Sequence, residues 1–141
     1  MSRRFWMILL ILVVATPATA PAQGRAPEQG QVPAPGTEVV ILPVPYEGGV
    51  SYGKGTAAGP DAVIDASRHL EFYDEILGAE PYRMGISTVE PPEIFQDAAR
   101  MHAAVFESVH NLLAQNKFTV MLGGDHSLSA GYFQALNKKY S

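Results

Sequence analysis

Cysteine is absent from the 141-residue chain. That excludes disulfides, thiolate metal sites and a cysteine nucleophile. Positive charge is scarce: 10 Lys and Arg stand against 14 Asp and Glu, for a formal net charge of -4. No basic patch interrupts this balance, which argues against nucleic acid as a partner. Long apolar runs are also missing. The most extended one, Phe5 to Ala15, is shorter than the ~20 residues a membrane-spanning helix needs. What remains is 47% hydrophobic and 17% charged, the balance of one packed globular domain rather than a disordered chain.

The short apolar run follows Arg3 and Arg4 and precedes ATPATAPAQG, where small residues recur at alternate positions. A positive start, an apolar stretch and an A-x-A-like site form the pattern of a cleaved secretory signal. Cleavage after Ala22 is expected, since cutting after Ala20 would expose Pro21. Residues 1–22 are therefore read as a signal peptide, and the mature protein as secreted or periplasmic without a stable membrane anchor. Residues 23–37 are rich in Pro, Gly and Gln and read as a flexible linker. The folded region is expected over 38–141.

That region alternates between two hydrophobic periods. Glu38–Val44 is a β-branched run, a buried strand. Pro45–Pro60 holds five glycines, a loop that turns sharply or approaches something closely. A helix is predicted over Asp61–Tyr73, with Ala62, Ile64, Ala66, Leu70 and Tyr73 on one face. Tyr82–Ser87 is a second strand. Pro91-Pro92 is expected to open a long helix over Glu93–Asn116. Its stripe of Ile94, Ala98, Met101, Val105, Val109 and Leu112 keeps helical spacing. Lys117–Leu122 is a third strand, and Leu128–Tyr140 a helix with Leu128, Tyr132, Phe133 and Leu136 together. Strand–helix alternation of this kind predicts an α/β fold with a parallel sheet.

The chemistry-bearing stretch is Met121-Leu122-Gly123-Gly124-Asp125-His126-Ser127, at the end of the third strand. Sites in open α/β sheets form at the carboxyl ends of strands. Two glycines let the chain turn closely there. Asp125 or Ser127 is a candidate cap for the following helix. His126 is a candidate metal ligand through a neutral ring nitrogen, with Asp125 orienting the loop. The plainer alternative keeps Asp125 as a cap only and His126 as a partly buried polar residue. One imidazole is not a metal site. His102 and His110 read as flank or surface residues of the long helix, and His69 as a solvated helix position. GGVSYGKGT has the glycines and lysine of a phosphate loop but does not complete G-x-x-x-x-G-K-[ST].

Three passages together resemble the ureohydrolase family of arginases and agmatinases, most closely the agmatinase branch. They are PVPYEGGVSYGKGTAAGPDAVIDAS, HLEFYDEILGAEPYRMGIST and LGGDHS. The resemblance implies a three-layer αβα fold with a mostly parallel sheet, of which 38–141 would be the N-terminal part. It implies two Mn²⁺ ions in the complete protein, hydrolysis of a small guanidino substrate, agmatine first, to urea and an amine, and a homo-oligomer. Arginase activity, or hydrolysis of another guanidino acid, is the alternative substrate reading. A short non-catalytic binding or scaffold protein is the alternative of another class. Carried onto this chain, the metal-ligating histidine is His126, with Asp125, Gly123 and Gly124 supporting it. The family's Asp-x-His-x-Asp and Asp-x-Asp motifs do not occur in this sequence. The chain is accordingly expected to hold no catalytic residue and to be inactive on its own.

Overall fold

The computed structural model describes residues 29–30 and 36–141. The predicted signal peptide and its cleavage point lie outside the described residues, as does most of the predicted linker. Within that linker Gln29–Gly30 (β1) pairs with the sheet, and Val39–Val44 (β2), Ile86–Val89 (β3) and Phe118–Gly123 (β4) complete it. All pairings are parallel and the spatial order is β1-β3-β2-β4. Three helices separate and follow the strands: Gly59–Ser67 (α1), Ala98–Ala114 (α2) and Ser129–Tyr140 (α3). Among the described residues no helix is long and apolar enough to cross a membrane.

The strand order decides the layers. From β2 the chain crosses to β3 on one side, then returns past β2 to β4 on the other. Right-handed crossovers in opposite directions put their helices on opposite faces, giving the layered αβα arrangement. Burial follows this. Val40, Leu42 and Val44 of β2 share one core with Met101, Val105, Val109, Leu112 and Leu113 of α2, and with Leu128 and Ala135. Ile64 of α1 is buried outside that cluster. Parallel strands need cover on both faces; in β2 Val40, Leu42 and Val44 are buried on one face, while Val39 and Ile41 on the other are half-buried.

Several boundaries differ from the sequence reading, each for a local reason. α1 stops at Ser67, where the Ser67 hydroxyl donates to the Ile64 carbonyl at 2.6 Å. This competes with the helical ladder. Leu70 and Tyr73, predicted on the apolar face, are exposed beyond the helix end. β3 starts at Ile86 because Pro81–Met84 forms a 3₁₀ turn. α2 begins at Ala98 rather than Glu93. Asp97 has extended backbone angles, and its carboxylate accepts the Arg100 N–H at 2.9 Å, an N-cap. Ile94 therefore lies before the helix, although its spacing matched the stripe, and Pro91-Pro92 do not open it.

β4, expected over Lys117–Leu122, is little buried: Phe118 is 69% exposed, and Thr119 is the one buried residue of the strand. The reason is position: among the described residues β4 pairs with β2 alone, so one edge is free. α3 ties β4 down from one face, since the Tyr132 hydroxyl donates to the Thr119 carbonyl at 2.7 Å. Phe133, grouped with Tyr132 by the sequence pattern, points outward at 64% exposure. Gly131 and Ala135 make the close contact instead.

Candidate functional site

β2 and β4 are neighbours whose outgoing chains diverge, one toward α1 and the other toward α3. α3 packs with α2, on the opposite side of the sheet from α1. Such a reversal leaves a crevice at the carboxyl ends of the two strands. Both strands end in register, Val44 opposite Gly123. The Gly-rich loop leaves one strand and the Gly123–Ser127 turn leaves the other, so the two stretches quoted in the sequence reading meet here.

Gly124 is where they touch. Its N–H donates to the Val44 carbonyl at 3.2 Å. A β-carbon on Gly124 would stand 2.3 Å from the Tyr46 carbonyl oxygen and 3.0 Å from that of Thr56. The second glycine is thus required by close backbone approach rather than by a special dihedral angle. Gly123 faces Leu128 instead, which lies within the core.

Asp125 is extended and precedes a 3₁₀ turn over His126–Leu128. One carboxylate oxygen accepts the Ser127 N–H at 2.8 Å and the Ser127 hydroxyl. The other accepts the Gly49 N–H at 2.7 Å. Partial burial pushes the Asp125 pKa up. The hydrogen bonds from the Ser127 side chain, Gly49 and the Ser127 backbone outweigh it, with help from the charge of His102, and hold it below the usual carboxylate range. Of the two capping candidates, Asp125 is the one that caps its own turn. It also reaches a second loop.

His126 opens that turn and is exposed. It lies three residues past the end of β4. His102 and His110 lie half-buried on α2, and the His102 Nε2 and His110 Nδ1 atoms are buried without a hydrogen-bond partner. His69 is exposed just past the end of α1. Among the described residues no group of three or more His, Cys, Asp or Glu side chains could hold a metal ion. A manganese pair needs more donors than one imidazole, so these residues do not by themselves fit the metal centre.

Two features escaped the sequence reading. Glu47 closes the Gly-rich loop on itself: its carboxylate accepts the Gly55 N–H at 2.7 Å and the Ala57 N–H at 3.2 Å. Those two bonds, Gly55 first, lower the Glu47 pKa against the opposing effect of burial. An acid within a glycine-rich loop is the signal that could have found it. The second is Gly49-Val50-Ser51-Tyr52-Gly53, which has G-x-S-x-G spacing. It is not a nucleophile elbow, because β2 ends at Val44 and α1 begins at Gly59, whereas an elbow joins strand to helix in one sharp turn. Beside this loop a cleft of about 510 Å³ opens toward Ile94 and Gln96, with Tyr46, Glu47 and Lys54 on its other wall.

Comparison with known proteins agrees with this geometry. Residues 37–141 match the arginase family. The chain is 38% identical over 108 residues to an N(1)-aminopropylagmatine ureohydrolase of Synechocystis, covering 71% of this chain and 35% of that protein. It is 41% identical over 98 residues to a Thermus thermophilus protein of the same name, covering 69% and 33%. Among solved structures, the agmatine ureohydrolase of Thermoplasma volcanium superposes with a TM-score of 0.65 at 25% identity, over 71% of this chain and 34% of that one. The chain spans about a third of the length of the curated relatives it matches. By this match and by its parallel layered fold, the chain belongs to the arginase family.

Proposed function

We propose that the complete protein carrying this chain is a manganese-dependent ureohydrolase that releases urea from a linear guanidino amine. The observation that carries this reading is the family match over 37–141, with the exposed His126 three residues past the end of β4. The substrate class comes from relatives: N(1)-aminopropylagmatine ureohydrolases at 38% and 41% identity and an agmatinase of Bacillus anthracis at 35%. Agmatine and its N(1)-aminopropyl derivative share the guanidino end and differ by the aminopropyl group on the amine at the other end. In this reading His126 is one ligand to a two-Mn²⁺ centre, and the remaining donors come from outside the chain. No catalytic step is assigned to residues 38–141.

The test is urea release by the natural gene product, loaded with Mn²⁺, from agmatine, N(1)-aminopropylagmatine and arginine in parallel. Turnover of either amine above arginine supports the reading. Preference for arginine overturns the substrate class, and urea from none of them overturns the function.

The same reading has the mature protein exported. Arg3 and Arg4, the apolar run and Ala20-Pro21-Ala22 support it. N-terminal sequencing of the protein from its own host is expected to begin at Gln23, and an intact Met1 start would refute export by cleavage.

A further inference from the structure

Asp125 and Gly49 are 76 residues apart in sequence, and each belongs to a different loop of the crevice. Loops with few packed side chains sit at the low end of local stability. The Gly-rich loop, however, is internally closed. Glu47 holds Gly55 and Ala57, so the two ends of the 47–57 segment are tied together. Gly124 packs its backbone against Tyr46, Thr56 and Ala57 of that loop; the polar tie to the turn beyond Gly124 is a second contact. Among the described residues one side-chain hydrogen bond joins the two loops, from the Gly49 N–H to Asp125.

The contact is close as well as polar. A β-carbon on Gly49 would stand 3.1 Å from an Asp125 carboxylate oxygen and 3.1 Å from the Ser127 hydroxyl. The Asp125 carboxylate is divided between tasks: one oxygen serves its own turn, the other serves the loop. An ionised carboxylate accepts on both oxygens, and its hydrogen bonds are about twice as strong as neutral ones. An asparagine accepts on one side only and must present an N–H₂ to a donor on the other.

We propose that Asp125 is a positioning residue that registers the Gly-rich loop, and the cleft wall it carries, against the turn presenting His126. The catalytic arm of this inference rests on the ureohydrolase reading; the loop arm does not. The clamp sets the separation between His126 and the cleft residues Glu47 and Lys54, the span a substrate would have to bridge.

The experiment uses the natural gene product with Asp125→Asn, Gly49→Ala and the double variant. Hydrogen exchange is read in peptides covering 45–58 and, as control, 101–113. Each single variant is expected to speed exchange in 45–58 several-fold while 101–113 is unchanged. The double variant is expected to be no faster than the faster single, because both break one contact. In urea release, kcat/KM is expected to fall roughly 10–100-fold, the usual effect of removing a group that orients a metal ligand. Mn²⁺ content should be kept in Gly49→Ala, where the Asp125–Ser127 bonds remain. Unchanged exchange in 45–58 in both variants would overturn the clamp. Faster exchange throughout 101–113 would also overturn it, by showing a general loss of stability. Loosened loops with unchanged kcat/KM would overturn the catalytic arm. Absence of urea from the unsubstituted protein would defeat the functional reading while the exchange result still decides the clamp.

Discussion

Gly124→Ala is expected to be among the most destabilising single methyl additions in this chain. The added β-carbon would stand 2.3 Å from the Tyr46 carbonyl oxygen, 3.0 Å from the Thr56 carbonyl oxygen and 3.1 Å from the Ala57 α-carbon. Every one of these is backbone, so no side chain can rotate away. Nor can the loop easily retreat. Tyr46 is buried at 3% exposure and belongs to the core cluster. Its N–H donates to the Val44 carbonyl at 2.8 Å. Overpacking a well-filled site typically costs about 1–3 kcal/mol. A contact with three backbone atoms puts this substitution at about 3 kcal/mol or beyond. For a domain of 150–250 residues, 3 kcal/mol lowers Tm by roughly 6–12 °C. Thermal melts of the natural gene product and the variant measure this directly. A variant melting within about 2 °C of the parent would show that the two loops separate freely, contrary to the interlock described above.

Leu128→Ala removes the anchor from the other side. Leu128 is fully buried, packs in the core cluster with Met101 and Val105, and ends the 3₁₀ turn that His126 begins. Leucine-to-alanine changes in such positions cost about 2–5 kcal/mol, through lost transfer energy and the cavity left behind. Leu128→Met keeps the volume and is expected to cost less than about 1.5 kcal/mol. The two variants compared by thermal melting separate packing from any special role of the side chain, and equal losses would sink the cavity argument. A second consequence concerns the site. The turn carrying His126 and Ser127 is seated by Leu128, so hydrogen exchange at residues 124–128 should rise more in Leu128→Ala than in Leu128→Met.

β2, β4 and the long helix were legible because each has a local pattern, whereas β1 lies in the stretch read as a linker and β3 begins four residues later than read. The β-branched run of β2 reads as a strand, and Met101, Val105, Val109 and Leu112 read as one helical face; all four are buried. The long helix's start was misplaced because Ile94 continued the stripe by coincidence, although Asp97 before Ala-Ala-Arg was a capping signal in plain view. The exposure of Leu70, Tyr73 and Phe118 was not legible. It depends on where a helix ends and on whether a strand has a neighbour.

By itself the sequence determined the α/β alternation, the strand-end position of Gly123 to Ser127 and the capping role open to Asp125. These follow from residue periodicity and side-chain chemistry within a few positions of each other. Only the tertiary structure decided that β2 and β4 lie side by side with diverging exits, and that the Asp125 carboxylate reaches the Gly49 amide. A backbone N–H has the same chemistry at every residue but proline. Nothing in the letters around Gly49 marks it as the one that a carboxylate 76 residues away will bind. Strand order and crossover direction make that choice, and they are properties of the whole sheet.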